Sequence, residues 1–138
     1  MKIFDEQNSL ELLDLYINTF VDKSSEIFKE RLSSFYIDHN SLPKGVIWDA
    51  LCNPTKISQH AAVELLKESN ILYTFKDPCE TGGVFKMLEL NCNEIDYFVD
   101  NNEDDDLYFF NDSLQKTIVL THEYINKDRR YCITATAL

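Results

Sequence analysis

Glycine and proline are scarce, with three of each in 138 residues. That scarcity excludes collagen-like and low-complexity chains. Gly45, Gly82 and Gly83 are too few and too scattered for a glycine-rich phosphate loop. No G-x-S-x-G, P-loop or dinucleotide fingerprint is present. No run approaches the ~18 consecutive apolar residues of a membrane span. The opening Met1-Lys2-Ile3-Phe4-Asp5-Glu6 lacks the basic region and apolar stretch of a signal peptide. Cys52, Cys79, Cys92 and Cys132 form no CxxC pair and match no zinc spacing. Reduced, structural thiols in a cytoplasm are the expectation, with no metal and no cofactor.

Basic residues are the other shortage. The chain has 13 Lys and Arg against 24 Asp and Glu, a net charge of −11. The imbalance is local. Between Lys86 and Lys116 lie 29 residues without a base, and they carry nine acids: Glu89, Glu94, Asp96, Asp100, Glu103, Asp104, Asp105, Asp106 and Asp112. A surface of that kind repels nucleic-acid phosphates and anionic membranes and attracts basic proteins. Against the charge stand 44% hydrophobic residues, including nine Phe, seven Tyr and one Trp. That content excludes a disordered chain and suits a single domain spanning residues 1–138.

The first half reads as helices. Asn8 and Glu11 suggest a capped start before the stripe Leu10, Leu13, Ile17 and Phe20. A second start falls at Asp22 to Ser25, ahead of Ile27, Phe28, Leu32, Phe35 and Tyr36. A third falls at Ser41-Leu42-Pro43, ahead of Val46, Ile47, Trp48 and Leu51, and ends at Asn53-Pro54. Thr55 or Ser58 begins a fourth with Ala62, Val63, Leu65 and Leu66. From Ile71 the pattern becomes β-branched and aromatic. Strands are expected at Ile71–Phe75, Val84–Leu90, Leu107–Phe110, Thr117–His122 and Tyr131–Ala137. Residues 93–100 admit a short helix with Ile95, Phe98 and Val99 inward, or a strand. Helices followed by strands predict an α+β fold, with four N-terminal helices on one face of a mainly antiparallel sheet of about five strands.

Several residues invite functional readings. Asp100, Asn102 and Asp104 have the spacing of a calcium loop, but Asp105 replaces the required Gly and Asn111 the terminal Glu. His122-Glu123 begins a zinc-protease pattern that Asn126 fails to complete. On a strand, His122 would share a face with Ile118 and Leu120, as a hydrogen-bonded histidine at the core edge. His39 or His60 could meet a cysteine as a nucleophile pair, though no spacing brings them together. Arg129-Arg130 is too short for a nucleic-acid patch and could pair with the acidic stretch. Trp48 reads as core. Tyr97 and Tyr108 flank the acids and are either sheet residues or interface anchors.

The stretch Tyr108-Phe109-Phe110-Asn111-Asp112-Ser113 followed by Thr117-Ile118-Val119-Leu120-Thr121-His122-Glu123 resembles the closing hairpin of small bacterial single-domain proteins. Some of these are similar to immunity proteins of contact-dependent inhibition and related polymorphic toxin systems. The resemblance implies a cytoplasmic inhibitor of a cognate toxin, often a basic nuclease. The acid placement adds a surface for such a partner: Glu94, Asp96, Tyr97, Asp100, Glu103, Asp104, Asp105, Asp106, Tyr108 and Asp112. The expectation is therefore a toxin-binding protein, not an enzyme. An acidic adaptor for another basic protein is the alternative, and a small Cys/His enzyme a third.

Overall fold

A computed structural model describes residues 1–38, 45–78, 85–126 and 129–137. Seven strands form one antiparallel sheet: β1 (Lys2–Ile3), β2 (Thr55–Ile57), β3 (Ile71–Lys76), β4 (Leu88–Asn91), β5 (Leu107–Phe110), β6 (Lys116–Asn126) and β7 (Arg129–Thr136). Their spatial order is β1-β4-β3-β5-β6-β7-β2. Among the described residues four α-helices accompany them: α1 (Glu6–Phe20), α2 (Ser33–Asp38), α3 (Gln59–Lys67) and α4 (Ile95–Asp100). The α+β fold is as expected, with two additional short edge strands.

The helices do not share one face. Leu13, Tyr16, Ile17 and Phe20 of α1 pack with Phe28, Leu32, Phe35 and Ile47 against Phe75, Tyr108, Phe110, Val119 and Ile133 of the sheet. On the opposite face, Ala62 and Leu66 of α3 join Ile95, Phe98 and Val99 of α4 over Leu72, Leu107, Phe109, Ile118, Leu120 and Cys132. Alternation along each strand divides the two sets. All four residues of β5 are buried because both of its faces are covered. A strand half open to water would alternate apolar with polar residues; Leu107-Tyr108-Phe109-Phe110 does not.

Tyr16 sits at the centre of the first core. Its ring lies 5.0 Å from those of Phe20 and Phe75 and 5.3 Å from Phe110. Burial drives the Tyr16 phenol far above its ordinary pKa, and its hydroxyl meets Thr117 Oγ1 at 2.8 Å. That bond meets the hydrogen-bonding need of a polar tip inside an aromatic cluster. Ser9 Oγ accepts from the Met87 N–H at 2.9 Å, which ties α1 to the entry of β4.

Local starts differ in detail from the sequence reading. Asp5, not Asn8, caps α1, accepting the Asn8 N–H at 2.8 Å. An Asp at this position also places negative charge at the positive end of the helix. The second helical run begins at Glu26, directly after the expected Asp22–Ser25 start, with Ser25 Oγ accepting the Phe28 N–H at 3.1 Å, and it includes an unexpected π-helical turn, Phe28–Leu32, before α2. Ser58 caps α3, and Thr55 lies in β2. The proposed third start at Ser41-Leu42-Pro43 lies outside the described residues; Ile47–Ala50 forms a single 3-10 turn. Val84, where the second strand was expected to begin, also lies outside them, and β4 starts at Leu88. Residues 93–100 are helical, with Ile95, Phe98 and Val99 inward. Asn91 and Glu94 form the capping box of this segment, two residues before the expected start at 93.

Candidate functional site

The acidic run is not one patch. Asp112 lies beyond β5, in the loop to β6, while Glu103 to Asp106 lie before that strand. The four residues of β5 separate them by about 14 Å at the usual rise. Three acids near α4 are already engaged. Glu94 pairs with the Met1 ammonium at 2.5 Å, which together with the Asn91 N–H holds its carboxyl below its ordinary pKa. Asp96 pairs with Lys67 at 2.8 Å, and Asp105 with Lys76 at 3.0 Å. Asp100, Glu103 and Asp104 are exposed and make no ion pair among the described residues.

Two of the expected surface residues are interior. Asp106 is 0% exposed. Its carboxylate accepts from the His122 N–H at 2.7 Å, from Trp48 Nε1 at 3.1 Å, and lies 2.9 Å from His122 Nδ1. A buried carboxylate persists only with such donors around it. Tyr108 is also 0% exposed, stacked on Phe75 at 4.8 Å. Its hydroxyl donates to Asp77 Oδ2 and accepts from the Trp48 N–H at 2.9 Å. Asp77 accepts the Ile47 N–H at 2.9 Å as well. Two buried carboxylates thus fasten the Ile47–Trp48 segment to the sheet. Burial, reinforced by Asp77, keeps the Tyr108 phenol protonated.

His122 does not share the face of Ile118 and Leu120. The β6–β7 ladder breaks register between Leu120 and Tyr124. Thr121 Oγ1 accepts the Glu123 N–H at 3.2 Å across this break. A bulge re-aims the next side chain, and the His122 ring comes to lie 6.4 Å from that of Trp48, on the first-core side. Bonding at Nδ1 fixes the imidazole's orientation and its tautomer when neutral, as a base-orienting carboxylate does in acid–base sites. Among the described residues, no group of three His, Cys, Asp or Glu side chains is set to hold a metal ion.

Trp48 is half-buried at the edge of the first core, as its reading predicted in part. Arg130 does engage the acidic segment, but through backbone: Nη2 donates to the carbonyls of Asn102 and Asp105. Of the proposed cysteine–histidine pairs, His39 and Cys79 lie outside the described residues. His60 stands at the start of α3, bordering a cavity whose described lining includes no cysteine. Cys52 and Cys132 are buried, and burial raises both thiols, Cys132 to about 11.

Around the unengaged acids the surface is aromatic. Tyr97 projects from α4 at 75% exposure, on the side away from Ile95, Phe98 and Val99. Tyr124 and Ile125 are exposed near the end of β6, and the Tyr124 hydroxyl donates to the Glu103 carbonyl at 3.4 Å. Two tyrosines therefore accompany the turn that carries Glu103 and Asp104. Sequence reading found Tyr97 but missed Tyr124, which only the β6 extension beyond the bulge brings to this turn. No protein-family model, curated protein or solved structure matches the chain.

Proposed function

We propose that this protein is an immunity-type inhibitor that binds a basic toxin domain, a nuclease foremost, through α4 and the turn that follows it. One observation carries the reading: exposed Tyr97 and Tyr124 accompany a turn whose Glu103 and Asp104 have no ion-pair partner among the described residues. Large aromatics supply contact area at low ordering cost, and unengaged acids supply attraction. A nuclease cleft must be basic to hold phosphates, so an acidic, aromatic surface complements it. Arg130 holds the turn's carbonyls, which presents its acids in a fixed arrangement. Binding, not turnover, is the role this supports, in the cytoplasm where such a toxin would act.

The test begins with the product of the adjacent reading frame. Expressed alone it should arrest growth, and co-expression of this chain should restore it. Converting Asp100, Glu103 and Asp104 to Asn, Gln and Asn should slow association about three- to tenfold and flatten its salt dependence. Tyr97→Ala should instead raise the dissociation rate, by about 30-fold if Tyr97 is a central anchor. A harmless neighbour with no affinity for this chain would refute the inhibitor reading. Unchanged rates in the acid triple variant would refute the surface.

A further inference from the structure

A cavity of about 410 Å³ opens where the start of α3 meets the β6–β7 end of the sheet. Its described lining includes Lys56, His60, Arg129 and Arg130, and no Asp or Glu. In a chain of 24 acids and 13 Lys and Arg, that inversion of sign needs a cause.

Arg130 supplies one. It is 3% exposed. Its Nε donates to the Thr121 carbonyl at 2.6 Å, and Nη2 to the carbonyls of Leu120, Asn102 and Asp105. All these partners are neutral backbone oxygens. Nη1 has no hydrogen-bond partner among the described residues. The Asp106 and Asp105 carboxylates offset part of the desolvation cost of this buried cation, and an anion in the cavity would offset more.

The backbone provides the second element. Ser58 Oγ accepts the Ala61 N–H at 3.1 Å, and the Ser58 carbonyl the Ala62 N–H at 2.9 Å. Gln59 and His60, on the cavity wall, begin the helix, where N–H groups lack intrahelical acceptors. Such a terminus favours negative charge. Ile57 and Ile125 add apolar wall beyond it.

We propose that this cavity binds a small phosphate-bearing molecule, with Lys56, Arg129 and the first amides of α3 on the phosphate and Arg130 as the fixed positive charge beside it. A nucleic-acid strand fits poorly. The guanidinium that borders the cavity also holds the turn of Glu103 and Asp104, so a polyanion passing the site would meet those acids. A single phosphate group makes no such crossing. Inorganic phosphate and a phosphomonoester share this chemistry, and the apolar wall distinguishes them.

The experiment is an amide-resolved NMR titration of the intact chain at constant ionic strength, with inorganic phosphate, adenosine 5′-monophosphate, adenosine and a short single-stranded RNA. Phosphate and the monophosphate should bind saturably and shift the Gln59 and His60 amides; adenosine should not. Tighter binding of the monophosphate than of phosphate would assign a phosphomonoester, and equal binding the free anion; either supports the site. Arg130 is left intact because it organises the β6 bulge. The exposed pair Lys56→Glu with Arg129→Glu should weaken phosphate about tenfold or more while the spectrum remains folded. Absence of saturation, equal shifts with adenosine, tighter RNA binding, or an unaffected double variant would each overturn the proposal.

Discussion

Asp106→Ala should be among the most damaging single changes in the chain. The carboxylate is fully buried and faces three donors: Trp48 Nε1, the His122 N–H and His122 Nδ1. Removing it leaves all three without that acceptor. A hydrogen bond to a charged group contributes about 1.5–3 kcal/mol. The three share one carboxylate, so their losses do not add in full. Breaking a buried charged cluster from one side costs about 3–5 kcal/mol. Against a typical domain stability of about 5–15 kcal/mol, that is a large fraction. The thermal midpoint should fall by roughly 10–20 °C. Asp104→Ala, two residues earlier on the exposed turn, should stay within about 0.5 kcal/mol of wild type. Urea unfolding followed by tryptophan fluorescence reads both, because Trp48 is the sole tryptophan and bonds to Asp106. Equal midpoints for the two variants would refute the division of the run into buried and displayed acids.

Tyr16→Phe should cost about 0.5–1.5 kcal/mol by removing the bond to Thr117, whereas Tyr16→Ala should cost about 3–5 kcal/mol through the cavity left in the aromatic core; denaturant midpoints measure both. Among Cys52, Cys92 and Cys132, a thiol reagent should modify Cys92 first, because the other two are buried and their thiols raised; mass spectrometry of the native protein gives the order, and early labelling of Cys132 would contradict the packing. Partial desolvation of a side chain that is still 33% exposed holds the Asp49 carboxyl above its ordinary 3.8, outweighing the favourable Arg31 charge, with Glu123 and Asp106 adding to the rise. Below that value Asp49 is protonated in both states and contributes no pH dependence. As pH rises through it the unfolded chain ionises first, so stability falls until the folded value is passed. Asp49→Asn should remove this loss, and its stability advantage over wild type should grow from acid to neutral pH in urea titrations; a constant difference would refute the burial argument.

Much of the framework was legible because apolar spacing reports local structure directly. The stripe Leu13, Ile17 and Phe20 gave α1, and the β-branched and aromatic runs gave β3, β5 and β6. Helix starts were harder, since Asp5 and Asn8 are both competent caps and only the chain's path selects one. The two-sided sheet was readable in principle: Leu107-Tyr108-Phe109-Phe110 has no polar residue to turn toward water. Asp106 was not readable in that way. Within Glu103-Asp104-Asp105-Asp106 nothing local separates the last acid from the others; its donors come from residues 48 and 122, and long-range pairing decides its fate. The bulge at Thr121 hid in the same manner, since strict alternation would have kept His122 with Leu120.

The strand order has a consequence for how the molecule is made. Both strands from the first half of the chain occupy the sheet's margins. Lys2–Ile3 waits for Leu88–Glu89, and Thr55–Ile57 waits for Cys132–Thr134. On a ribosome, β2 therefore emerges with no neighbour to pair with until Cys132–Thr134 is synthesised. Contacts that distant in sequence form late and slow folding. A nascent chain halted before Arg129 holds neither the partner of β2 nor the guanidinium that secures the acidic turn. Assembly of the seven-stranded sheet thus waits for synthesis of β7, and a chain stalled before it lacks the guanidinium that orders the acidic turn.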